Sequence, residues 1–177
     1  VVSNLALVNA AAGQRVLVID ANMRRPALHR IFGVNEGPGL GDVIMGGAAL
    51  EGAVQRAGDD RLHVLSAGSR EHRASELLAT EAMTRLVRQA REMYDIVLLD
   101  VAPALVSGDG MAVANRCDAS VLVVRAMSET RGMVARLIVD LNDARGELLG
   151  VLVNGVRASA GGYMRSNIKA THEYLNT

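Results

Sequence analysis

Five short runs of Val, Ile and Leu set the narrowest limits on what this chain can fold into. They are Val16–Ile19, Leu62–Leu65, Ile96–Leu99, Val121–Val124 and Leu149–Val153. A strand with one wet face alternates apolar and polar residues. These runs are almost continuously apolar, so both faces of each strand must be covered, as in a parallel sheet between helices. Helix-patterned segments lie between them: Ser75–Met93 (with room for a break near Thr80), Asp109–Arg116 and Glu129–Arg145. An opening helix is read from the spacing of Val1, Leu5 and Val8, closed by Gly13. This order predicts an α/β fold, a doubly wound, mostly parallel sheet flanked by helices. No repeat, low-complexity tract or linker interrupts it, so a single domain over residues 1–177 is expected. Gly33–Asp60 reads as less regular, with a turn at Gly37-Pro38-Gly39 and a short helix around Gly41–Met45. A loop of that length is either functional or a peripheral excursion.

Aromatic residues make up 2% of the chain, with no Trp and one Phe, so the core must be aliphatic. The formal net charge is zero, which supplies no field for nucleic acid or an anionic membrane, and no nucleic-acid partner is expected. Cys117 is the only cysteine, which excludes an internal disulfide and fits a reducing compartment. No apolar run approaches the roughly 20 residues needed to cross a bilayer. The apolar start has no basic leader and reads as a helix entered part-way, hence as a piece of a longer protein. The four histidines show no metal-ligand spacing.

In open α/β sheets, ligands bind beyond the carboxyl ends of the strands. Three of the runs finish there on a polar residue: Asp20, Asp100 and Asn154. One such aspartate is most simply a helix cap or turn former. Two of them, each followed by a proline-containing turn, point to a site. Magnesium takes hard oxygen ligands and is usually held by one or two carboxylates together with substrate phosphates. Carboxylates at neighbouring strand tips suit it.

The strings around these residues carry a resemblance. Val16–Pro26 reads VLVIDANMRRP and Tyr94–Leu105 reads YDIVLLDVAPAL. With ALHRIFG, GLGDVIMGGAALEGAV, LHVLSAG, ASELLATEAMTRLVRQARE, SGDGMAVANRCDASVLVVRA and GVLVNGV in that order, the chain resembles the bacterial tyrosine kinases. These are cytoplasmic ATPase domains of capsular and exopolysaccharide chain-length regulators, within the deviant-Walker P-loop ATPases.

The resemblance implies ATP and magnesium as cofactors and autophosphorylation between subunits of a homo-oligomer. It also implies a membrane-spanning chain-length regulator, in cis or in trans, and a place at the cytoplasmic face of the membrane. By it, Asp20 lies near magnesium and acts as base toward the acceptor tyrosine, a phenol of pKa about 10. Asp100 corresponds to the Walker B aspartate that holds magnesium through water. Asn154 corresponds to a position at the adenine pocket, where an amide offers both donor and acceptor; its plain alternative is a satisfied turn residue. Arg24 or Arg25 matches a motif arginine that approaches phosphate or pairs with a carboxylate. Asp109 matches an aspartate that braces the phosphate loop, or serves simply as a helix N-cap.

The chain departs from the family pattern in three places. Asn22 stands where the family usually has a second aspartate, and an amide can ligate or orient water without bringing charge. Ala102-Pro103 replaces a proline pair. The family's first strand and Gly-Lys-Ser/Thr phosphate loop are expected before Val1, because the only lysine, Lys169, follows Ile168. Tyr163 and Tyr174 lie in a tail sparser than the family's tyrosine cluster, as autophosphorylation sites or as parts of a final amphipathic helix. Two rival functions are a nucleotide-gated assembly module without kinase activity and a partition- or septum-type ATPase.

Overall fold

A computed structural model describes residues 1–69, 76–104 and 108–156. The chain divides into two compact units, Val1–Cys117 and Asp118–Thr177, each described here by itself.

The first unit is built on a four-stranded sheet. Its strands are β1 (Val16–Ala21), β2 (Gln55–Ala57), β3 (Asp59–Leu65) and β4 (Ile96–Val101), in the order β2-β3-β1-β4. β1 is central and runs parallel to both β3 and β4. Its six residues are all buried, the outcome that its unbroken apolar run requires. Val16 and Val18 face one core with Ala6, Ala10 and Leu28; Leu17 and Ile19 face another with Leu40, Leu50, Met83 and Leu86.

The first core is covered by α1 (Val2–Ala11) and α2 (Leu28–Phe32), the second by α3 (Leu40–Ile44), α4 (Leu50–Ala53) and α5 (Glu81–Met93). In α1 the small Ala6 and Ala10 meet the sheet, so the helix lies close to it. In α5 the buried residues Met83, Leu86, Val87 and Ala90 recur at helical spacing and form one stripe. Residues 78–80 form a turn ahead of α5, where the sequence allows a break. Tyr94, just after α5, is buried with its ring edge-on to His63 at 5.5 Å.

Gly33–Asp60 is more regular than the sequence suggests. It holds α3, α4 and the short edge strand β2, which pairs antiparallel with β3 across Gly58 (φ +78°). Elements of three to five residues are too short to show periodicity, which is why α2, α4 and β2 escape a pattern reading. The turn before α3 docks on the loop after β3: Leu40 N–H donates to Ser66 O at 2.7 Å and Gly41 N–H to Ala67 O at 2.8 Å. Only glycine permits this approach. A Cβ on Gly39 would lie 2.3 Å from Ser66 O, and one on Gly68 (φ +67°) 2.3 Å from the Asp42 carboxylate. Asp42 Oδ2 also accepts the N–H groups of Gly39 and Ser69, at 2.8 and 3.1 Å.

The short helix α6 (Asp109–Ala114) closes this unit. In the second unit, β5 (Ala119–Arg125) and β6 (Glu147–Asn154) pair in parallel. They pack with α7 (Arg131–Asn142), whose Leu137 and Leu141 are buried. Thr130 caps α7, its hydroxyl accepting the Met133 N–H at 3.3 Å. Among the described residues no helix is long and apolar enough to cross a membrane.

Candidate active site

Asp20 and Asp100 are partners in the β1–β4 register, at the carboxyl ends of both strands. Register partners on adjacent parallel strands sit about 4.8 Å apart and point to the same side of the sheet. Asp20 is completely buried. Its Oδ2 accepts the N–H groups of Ala27 and Leu28, both at 2.9 Å, and its Oδ1 accepts that of Asn22 at 3.2 Å. The carboxylate therefore folds the loop 22–28 over the strand tip and satisfies the open N-terminus of α2, which no side chain of its own turn caps.

Asp100 is half-buried, and its carboxylate accepts no hydrogen bond from the described residues. Burial, followed by the negative charge of Asp20, pushes its carboxyl above the ordinary carboxylate range. Such a group binds a cation readily, because a positive charge relieves both penalties at once.

Around this pair, Asn22 Oδ1 accepts the Arg25 N–H at 3.1 Å and so closes the turn after β1. Arg24 reaches from the same loop to Asp109, with Nε 3.7 Å from Oδ2. Asp109 opens α6, whose Gly110 packs on the turn after Asp100; a Cβ there would lie 3.5 Å from Ala102 O. The sequence-selected Asp20, Asn22, Arg24, Asp100 and Asp109 thus gather at one end of one sheet. No group of three or more His, Cys, Asp or Glu among the described residues forms a closed metal cage. A single accessible carboxylate beside a buried one fits magnesium, which keeps its waters and takes its remaining ligands from phosphates.

The chain is 34% identical over 157 residues to the tyrosine-protein kinase YwqD of Bacillus subtilis, covering 89% of this chain and 66% of that protein. It is 37% identical over 154 residues to the putative tyrosine-protein kinase EpsB of Ralstonia solanacearum, covering 87% of this chain and 20% of that protein. The solved kinase domain of Escherichia coli tyrosine kinase ETK superposes with a TM-score of 0.84 at 32% identity, over 91% of this chain and 63% of that one. The chain belongs to the bacterial tyrosine kinase family. No family model matches it.

The cell division ATPase MinD of Pyrococcus furiosus and the septum site-determining protein MinD of Pyrococcus horikoshii share the fold at 22% identity, with TM-scores of 0.76 and 0.72. The sheet flanked by helices is the one expected from the sequence. Asn154, at the end of β6, belongs to the second unit: its Oδ1 accepts the Gly155 N–H at 2.9 Å, and its backbone O accepts the Ala126 N–H at 2.8 Å. Tyr163 and Tyr174 lie outside the described residues.

Sequence reading of this family member missed the backbone donors of Ala27 and Leu28. A strand-end aspartate is legible as a cap, but not a cap on a helix that begins eight residues later. It also missed Arg116, whose guanidinium bonds run to residues more than 30 positions away. No local signal marks such a contact.

Proposed function

We propose that this chain is the nucleotide-binding part of a MgATP-dependent protein-tyrosine autokinase that regulates exopolysaccharide or capsule biosynthesis and export. The observation that carries the reading is the half-buried Asp100 carboxylate, which accepts no hydrogen bond from the described residues and is raised by its burial and then by the charge of Asp20. Family membership supplies the reaction class. Both units together form one ATPase-like domain in this proposal, since the match to the ETK kinase domain runs over 91% of the chain.

When bound, magnesium would neutralise charge on the transferring phosphoryl group. Asp100 would hold it through water, and Asp20 would add charge from behind while keeping loop 22–28 in shape. In the sequence reading Asp20 is the base for the acceptor phenol. Its two oxygens already serve three backbone amides, which favours a field and positioning role for it over proton transfer. Asn22 would contribute an amide without charge. Arg24, paired to Asp109, stands at the rim within the same loop and would meet phosphate; Asn154 would read the edge of the base. Tyr163 and Tyr174 are the candidate acceptors, on a neighbouring copy in a homo-oligomer. A membrane-spanning chain-length regulator, in cis or in trans, would hold the protein at the cytoplasmic face.

The 177 residues contain one lysine and no Gly-Lys-Ser/Thr sequence. Alone they should bind MgATP weakly, since phosphate recognition in P-loop enzymes relies on that loop's amides and lysine. Tight binding in calorimetry would refute this. The kinase reading is tested on the full-length protein with γ-labelled ATP and magnesium. Label should appear on tyrosine and fall by about a hundredfold or more in Asp100→Asn, as when several kcal/mol of charge stabilisation are lost. Equal labelling of the wild type and the variant would sink it.

A further inference from the structure

Arg116 lies two residues beyond α6 and is half-buried. Every partner that the described residues give it is a neutral oxygen. Nε donates to the Thr84 hydroxyl at 3.1 Å, Nη1 to Ala112 O in α6, and Nη2 to Ala79 O and, at 3.3 Å, to Thr80 O. The guanidinium thus ties the last turn of α6 to the turn before α5 and to the first turn of α5 itself. A partly buried cation is costly unless its donors are met, and here four bonds meet them.

What this anchoring serves is visible at the other end of α6. A helix of six residues has almost no stability of its own, so its position must come from tertiary contacts: Val113 packs in the core, and polar contacts hold the two ends. At its amino end Asp109 pairs with Arg24, from the loop that Asp20 organises. One residue on, Gly110 rests on the turn that follows Asp100. The helix therefore touches both strand-tip loops at one end and is clamped at the other.

We propose that Arg116 is a positioning residue for the nucleotide site: by fixing the carboxyl end of α6, it sets Asp109 against Arg24 and Gly110 against the Ala102–Ala104 turn. This rests on the nucleotide-binding reading given above. Arg116 does not touch the site itself. Its influence passes through one short helix.

Two measurements on the full-length protein test this. Hydrogen–deuterium exchange without nucleotide reads the geometry alone. Arg116→Met should speed exchange of the Arg25 amide and of the 102–104 turn as well as of residues 112–117. Exchange that rises only at 79–84 and 112–117 would show a merely structural clamp and overturn the proposal. A double-mutant cycle on MgATP affinity reads the coupling. Arg116→Met and Asp109→Asn should each weaken binding by about tenfold, the loss typical of one charge-assisted hydrogen bond. Combined, they should be little worse than either alone, and additive losses would overturn the proposal. If Arg116→Met fails to fold, Arg116→Lys, which keeps the charge but not the fork of donors, should show the same pattern at smaller size. A wild-type protein that binds no MgATP would defeat the nucleotide reading, and the exchange arm would still decide the role of Arg116.

Discussion

Asp20 accepts three backbone N–H bonds while sealed from water, and removing its carboxylate would leave all three donors without a partner. Each buried donor left unmet costs about 1–3 kcal/mol. Asp20→Ala should therefore lower the unfolding free energy by about 3–5 kcal/mol in a urea titration, and a loss under 1 kcal/mol would contradict the described hydrogen bonds. Asp100 should behave in the opposite sense. Its folded carboxyl titrates above the unfolded one. Between those two values the native state holds the extra proton, so stability falls as pH rises through that window, and the cost is fully present above the folded value. Asp100→Asn removes the cost, and a thermal melt at pH 7 should show a slightly more stable protein even as phosphotransfer is lost. A residue that weakens the fold and is needed for chemistry is the pattern expected of a site.

Among the elements, the contact between the turn before α3 and the loop after β3 is the least tolerant of change. A Cβ at Gly39 or Gly68 would sit within 2.3 Å of an oxygen atom, and at Gly68 the positive φ adds strain. Gly39→Ala and Gly68→Ala should each cost about 2–4 kcal/mol. Gly52→Ala within α4, where nothing lies within 4 Å, should be neutral or stabilising by up to about 1 kcal/mol. Differential scanning calorimetry on the three variants would separate them. This contact also shows where sequence reading stops. The buried strands were legible because continuous apolarity has one common cause, and the tips followed from the residues that end them. The turn at Gly37–Gly39 was legible as a turn. That it docks on Ser66 and Ala67, and that Asp42 pins it there, depends on segments some 25 residues apart and leaves no periodic trace. The same holds for α2: its N-terminus is capped from β1, so its own first turn carries no cap to read.

For the whole molecule, acid sensitivity should come in two steps. His63 at the amino end of the sheet is held below the ordinary 6.5, chiefly by burial and then by Arg56, with Asp60 opposing. Its Nδ1 has no hydrogen-bond partner among the described residues. As pH falls through 6.5 the unfolded chain takes up a proton before the folded one, so stability declines from there downward. The second step belongs to Asp95. Its carboxylate is drawn down to about 2 by hydrogen bonds from the Arg15 side chain and backbone, a contribution present above the unfolded value of 3.8 and lost as pH falls toward about 2. His63→Phe should flatten the unfolding curve between neutral and mildly acidic pH and leave the lower step intact. A curve unchanged by that substitution would mean that His63 takes up its proton at the same pH folded and unfolded, and would contradict the effect of its burial. The aliphatic core has an optical corollary. With no Trp in the chain and Phe32 packed beside the first core, Phe32→Trp would make a lone indole emitter on a dark background. Its emission would register events at the strand tips through α2, whose amino end Asp20 holds, and with no dye attached.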